Sequence, residues 1–170
     1  MVGVEPGLKP AVSLSRSGRI GVMATDATLR SDRFERLVRT HAGSAFVHRR
    51  PCPGLATLIE RGDLAHPRLQ GLLAEHCTAM KTLGVDVVVL GCTHYSFVRD
   101  RIERLLGPGI AVIDTARAVA NQVVRLAAPA GSPTARPTAV RLMTSGDVAS
   151  VHNIANRLGL SCQVVAWPSV

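Results

Sequence analysis

The chain has 170 residues, 46% of them hydrophobic and 19% charged, which matches one globular domain of roughly 100–150 residues or slightly more and excludes the composition of an intrinsically disordered chain. No apolar run reaches the ~18 residues that a membrane-spanning helix needs. The formal net charge is +8, but of the 20 basic residues only Lys9 and Lys81 are lysine, and aromatics at 3% argue against a base-stacking nucleic-acid surface.

Met1 to Pro10 lacks the basic-then-apolar layout of a secretory signal, so the expectation is a cytoplasmic protein without membrane attachment. Cys52, Cys77, Cys92 and Cys162 show neither the density of a disulfide framework nor the paired spacing of a zinc site. They read as free thiols, with no metal ligand set among them.

In chain order, Arg19 to Thr25 reads as a strand and Ser31 to His41 as a helix with Ser31 as its N-cap. Arg30, Arg33, Arg36 and Arg39 recur every third residue, a slowly drifting basic stripe if all four share a helix. Ser44 to His48 is a second strand, and Pro51 and Pro53 predict a loop over 49–54. Leu55 to Arg61 reads as a helix ended by Gly62. His66 to Leu83 places Leu69, Leu72, Leu73, Cys77, Met80 and Leu83 at helical spacing, with Gly84 as the stop.

Val85 to Leu90 is nearly all β-branched, the pattern of a central parallel strand covered on both faces. A helix is expected from about Ser96 to Leu106, a strand over Ile110 to Ile113, and a helix from Ala116 to Ala128. Pro129 to Pro137 reads as a linker. Beyond it come a strand (Ala139 to Met143), a helix (Val148 to Leu158) and a strand (Cys162 to Ala166), a βαβ unit that extends the same sheet or belongs elsewhere. The alternation implies an α/β fold with a parallel sheet and helices on both faces.

In such sheets ligands bind beyond the carboxyl ends of the strands, which singles out Thr25 to Thr28, Arg49 to Cys52, Cys92 to His94, Asp114-Thr115 and Ser145 to Asp147. Gly91-Cys92-Thr93-His94 places thiol, hydroxyl and imidazole in consecutive positions between a buried strand and a helix start. A thiolate there is a candidate nucleophile or base, and Thr93 with the free N–H groups of the turn would suit a carboxylate or phosphate. The other reading of Cys92 is a small buried hydrophobe, and of Thr25 and Thr28 a pair of hydroxyls satisfying their own turn. Cys77 belongs to a helix core and Cys52 to a proline-flanked loop. No P-loop or dinucleotide fingerprint is present.

The segment Val89-Leu90-Gly91-Cys92-Thr93-His94-Tyr95 resembles the glutamate racemases of the aspartate/glutamate racemase superfamily. So do Gly3-Val4-Glu5-Pro6-Gly7, Arg19 to Thr25, Cys52-Pro53-Gly54-Leu55 and Thr144-Ser145-Gly146-Asp147. The resemblance implies a cofactor-independent proton transfer that interconverts L- and D-glutamate, the latter for peptidoglycan. Two cysteines would face opposite sides of the substrate α-carbon, one removing a proton and the other returning one. It assigns Cys92 as the second of these, Thr93 to the substrate carboxylate, His94 to tuning or assisting Cys92, Glu60 to an acidic role in this half of the site, and Thr25 or Thr28 to a further hydroxyl contact.

The family's first half, with its Asp-Ser-Gly turn, Pro-Tyr-Gly segment and Cys-Asn-Thr motif, has no counterpart here. The resulting expectation is the C-terminal part of such an enzyme: residues 1–128 as a racemase-like domain, 129–137 as a linker, and 138–170 as a segment that completes the other domain. Alone, such a chain would be inactive or nearly so. Two rival readings remain open, a non-catalytic binding module using the arginine stripe, and a homodimer in which one copy covers an exposed face of the other.

Overall fold

The structure, a computed structural model, describes residues 3–127 and 140–168. Four parallel strands form the main sheet: β1 (Arg19–Ala24), β2 (Phe46–Pro51), β3 (Val87–Leu90) and β4 (Ala111–Asp114), in the order β2-β1-β3-β4. Alternation along the central strands divides the core in two. Met23, Val88 and Leu90 point into a layer with α4 (Leu55–Glu60), α5 (Pro67–Thr82) and α6 (Arg99–Leu106). Ile20, Val22, Val87 and Val89 point to the other face, against α1 (Leu8–Leu14) and α3 (Asp32–His41), where Leu8, Ala11 and Phe34 are buried. Each of these side chains larger than alanine contributes about 1.5–3 kcal/mol when fully buried. The predicted α/β architecture with helices on both faces of a parallel sheet is the observed one.

Local chemistry sets the boundaries. Ser31 caps α3 by accepting from the Phe34 N–H, as expected. The α5 stop at Gly84 and the α4 stop at Gly62 both take positive φ, +65° and +75°, which glycine alone adopts without strain. At the opposite end of the sheet from the strand carboxyl termini, Asp86 ties the α1–β1 loop to the start of β3. It accepts from the Ser15 hydroxyl at 2.6 Å and from the Arg16 and Ser17 N–H groups at 2.7 and 2.8 Å. Burial alone would raise this carboxyl; the hydrogen bonds from Ser15, Ser17 and Arg16 outweigh it and hold it down at about 2.

Several expectations are corrected. The loop predicted from residue 49 is instead strand, since β2 continues to Pro51. It is an edge strand paired only with β1, so the N–H that proline lacks is not needed for a second ladder. The helix expected from Ser96 begins earlier as a 3-10 turn, Thr93–Val98, and becomes α6 only at Arg99. Two short helices went unread, α1 and α2 (Asp26–Leu29). Arg30 is the C-cap of α2 and not part of α3, so the arginine stripe keeps only Arg33, Arg36 and Arg39 on one helix.

After β4 comes α7 (Ala116–Ala127), and the predicted linker 129–137 lies outside the described residues. The second unit, β5 (Arg141–Thr144), α8 (Val148–Arg157) and β6 (Gln163–Ala166), forms its own two-stranded parallel sheet and does not extend the first. Asp147 caps α8 through the Ser150 N–H at 2.7 Å. Arg157 of this unit lies across Gly62, where an added Cβ would meet the Arg157 Cβ at 2.7 Å. Among the described residues no helix is long and apolar enough to cross a membrane.

Candidate functional site

The carboxyl ends of β1, β3 and β4 open into a cleft of about 470 Å³, within the roughly 300–1,000 Å³ usual for small-molecule sites. Gly91, Cys92 and Thr93 form one wall. Gly91 is pressed against β1: a Cβ there would meet the Ala24 Cβ at 2.9 Å and the Met23 carbonyl at 3.3 Å, so glycine is what lets the chain turn out of β3 at this point. Cys92 follows with extended backbone and precedes the 3-10 turn without capping it, which leaves its thiol free of the backbone. Its Sγ lies 3.8 Å from the His94 Nδ1, within range for a sulfur–imidazole hydrogen bond.

The opposite wall comes from α2 and α3. Thr28 and Ser31 line the cleft beside Arg33, whose guanidinium binds Glu5. Thr25 does not line it. Its hydroxyl caps α2 by accepting from the Thr28 N–H and lies 3.0 Å from the Thr28 hydroxyl, so it supports Thr28 from behind. Ser31 is also committed to its helix, donating to the Thr28 carbonyl at 2.8 Å while accepting from Phe34. Thr115, just after β4, closes the floor. Asp114 next to it accepts from the Ser96 hydroxyl and the Ala116 N–H, both at 2.9 Å, and so pins the 3-10 turn to the end of β4.

The remaining cysteines lie outside the cleft lining. Burial pushes the Cys52 thiol up to about 12, more than the nearby Tyr95 hydroxyl and Arg50 offset, and pushes Cys77 up to about 11. Both are buried core groups that stay protonated at neutral pH. Cys162 sits just before β6, in the second unit, and is not part of the cleft lining. Cys92 is therefore the one partly exposed thiol at the cleft.

Of the strand-end segments singled out from sequence, the structure brings together Thr28, Cys92, Thr93 and Thr115. His94 stands behind Cys92, and Glu60 is exposed at the end of α4, outside the lining but on a helix that packs against the 3-10 turn. Arg49 to Cys52 and Ser145 to Asp147 lie elsewhere. Ser31, Arg33 and Glu5 were not read as site residues. The sequence marks Ser31 only as a cap and Arg33 only as one of a stripe, and nothing in either pattern says which rung faces the cleft. The stripe itself is partly neutralised, Arg33 by Glu5 at 2.8 Å, with Arg30 paired to Asp26 at 3.4 Å and Arg49 to Glu35 nearby.

The Asp/Glu/Hydantoin racemase family model matches residues 4–123. A glutamate racemase of Herpetosiphon aurantiacus is 43% identical over 155 residues, covering 90% of this chain and 61% of that protein. One of Ralstonia nicotianae is 45% identical over 149 residues, 87% of this chain and 54% of that protein. The chain thus spans less than two thirds of the length of either relative. Among solved structures, glutamate racemase isoform RacE1 of Bacillus anthracis superposes with a TM-score of 0.76 at 26% identity, covering 95% of this chain and 62% of that one. The Escherichia coli glutamate racemase in complex with L-glutamate and an activator, 21% identical with a TM-score of 0.77, covers 99% of this chain and 65% of that one and shares the fold.

Proposed function

This chain belongs to the Asp/Glu/Hydantoin racemase family, and from that premise we propose that it carries one wall of a glutamate racemase active site. The observation that supports this best is the Cys92–His94 pair at the strand-end cleft, the one partly exposed thiol there, 3.8 Å from an imidazole nitrogen. The Cys92 thiolate takes the α-proton of glutamate from one face, or its thiol returns a proton to that face. His94 orients and tunes the sulfur. Thr93 holds the substrate α-carboxylate, and Thr28, backed by Thr25, supplies a hydroxyl across the cleft. Glu60 acts through the turn that carries His94 and not on the substrate directly.

Inversion at carbon needs an acid and a base on opposite faces, and the second is not among the cysteines of this sequence, because Cys52 and Cys77 are buried and protonated and Cys162 lies away from the cleft. This chain alone therefore exchanges the α-proton with solvent on one face without racemising. In the intact reaction the product D-glutamate would feed peptidoglycan synthesis in the cytoplasm.

Incubation with L-glutamate in D2O, followed by NMR for α-deuteration and by circular dichroism for inversion, tests this. Exchange without inversion is expected, and Cys92→Ala should lower it by roughly 10²-fold or more, the usual scale of a positioned acid or base. Full racemisation by the chain alone, or undiminished exchange in Cys92→Ala, would overturn the assignment.

A further inference from the structure

The four-stranded sheet has two edges, and they are built differently. β2 ends in Arg49, Arg50 and Pro51, with the two guanidiniums held in ion pairs to Glu35 and Glu75. Charge and proline are the usual means by which an edge strand is kept from pairing with another chain. β4 lacks such a guard. It reads Ala-Val-Ile-Asp, and its one charged residue, Asp114, is engaged by the Ser96 hydroxyl and the Ala116 N–H.

The Ala111 N–H points inward, donating to the Asp86 carbonyl at 2.9 Å. Alternation along the strand then turns the N–H and carbonyl of Val112 outward, away from β3. Apolar side chains flank this open edge on both faces of the sheet. On one face Ile110 and Val112 are only half-buried beside α6; on the other Ile113 borders a groove with Pro10 and Leu14, the latter 53% exposed.

The charges beside the edge decide what fits it. Asp100 and Arg104 lie one turn apart on α6, and both line the groove along β4. The Arg104 Nε donates to the Asp100 backbone carbonyl at 3.1 Å, and among the described residues neither side chain makes an ion pair, whereas Glu103 is taken by Arg99. An unpaired acid and an unpaired base one turn apart are complementary to their own copy run in the opposite direction.

We propose that β4 is the contact between two copies of this chain: the two strands pair antiparallel about a two-fold axis and join the sheets into one. This does not depend on the glutamate reading. The layers accommodate it. α6 packs over β3 and β4, with Ile102 and Leu106 in one core with Val88 and Val112. With strands about 4.8 Å apart, α6 and its two-fold mate stand about 10 Å apart, the interaxial distance of packed helices. They run antiparallel, so Asp100 faces the partner's Arg104 and Arg104 faces the partner's Asp100. The same pairing at β2 would bring arginines against their own copies and meet a proline without a donor.

Sedimentation of the whole chain tests this, with circular dichroism of each variant to show that it is folded. The wild type is expected to dimerise at micromolar concentration. Asp100→Arg sets like charges against each other and should weaken dimerisation by roughly tenfold or more. Exchanging both residues, Asp100→Arg with Arg104→Asp, should restore it, a rescue that a merely destabilised α6 would not show. Val112→Pro removes the outward N–H while sparing the ladder to β3 and should also give monomer. Phe46→Asp, at the other edge, should leave the dimer intact. A monomeric wild type, a dimer indifferent to Asp100→Arg or to Val112→Pro, no recovery in the exchanged variant, or dissociation by Phe46→Asp overturns the proposal.

Discussion

Val87 to Leu90 of β3 are at most 2% exposed, whereas in β5, which pairs with β6 over an equally regular parallel register, Leu142 and Met143 are 37% and 40% exposed. Both segments are strands of βαβ units and both pair in parallel ladders, β3 on two sides and β5 on one. The difference lies in the layers. β3 is flanked by strands on both sides and by helices on both faces, while β5 has one neighbouring strand and the unit one helix, α8, packed on β6. Strand formation follows from local pattern and pairing, but stabilisation follows the apolar area removed from water, and a two-stranded sheet does not supply enough of it alone.

The comparison can be broken most directly in the cores. Ile20→Ala should destabilise the four-stranded domain by about 2–5 kcal/mol, and Leu142→Ala the second unit by less than about 1 kcal/mol, as expected for a buried and a half-exposed site. The chain carries one tyrosine and one tryptophan, and they fall on opposite sides of the divide: Tyr95 is buried in the domain, and Trp167 follows β6 with 59% exposure. Urea titrations read by near-ultraviolet dichroism at Tyr95 and by Trp167 fluorescence should therefore give two transitions, Trp167 first. Coincident curves would show that the two units unfold as one.

A smaller effect is expected at their contact. Gly62 combines a φ of +75° with the closeness of Arg157, so Gly62→Ala strains the turn and pushes on α8 together. The expected cost is about 1 kcal/mol or somewhat more. It should appear mainly as an earlier Trp167 transition; a shift confined to Tyr95 would place the strain wholly within the domain.

The smallest effect is electrostatic and confined to the domain. Burial lowers the pKa of His76, with Arg50 adding to it and Glu75 opposing, and burial followed by Arg19 lowers that of His48. The His76 Nδ1 accepts from the Arg50 Nε at 2.9 Å, a bond only the neutral ring can make. Both histidines take up protons in the unfolded chain near pH 6.5 but not in the folded one, so stability is full above that pH and falls as pH drops below it. The Tyr95 midpoint should decline from pH 7 to 5.5, and a His48→Gln/His76→Gln variant should flatten that slope. A midpoint that rises on acidification would contradict the burial of these rings.

Elements with strong local signals were legible before the structure. The β-branched run at β3, the Ser31 cap and the glycine stops at Gly62 and Gly84 are cases in which one residue's stereochemistry decides the outcome. α1 and α2 were missed because helices of seven and four residues are held by packing and caps more than by propensity. Pro51 misled because a proline ends a central strand but not an edge strand, and strand order is not written locally. The Cys92-Thr93-His94 wall could be read because its members are consecutive. Of the opposing wall only Thr28 could be read, as a residue just beyond a strand end; Glu5 and Arg33 reach it from separate segments.

By itself, then, the amino-acid order determined the parallel α/β class, the strand and helix rhythm, and the clustering of thiol, hydroxyl and imidazole at one strand end, all consequences of short-range sterics and hydrophobic period. Only the tertiary structure decided what stands across the cleft from Cys92, which arginine of the stripe lines it and that the final βαβ unit forms its own sheet. Those outcomes depend on how layers bury one another, and burial is a property of segments far apart in the chain.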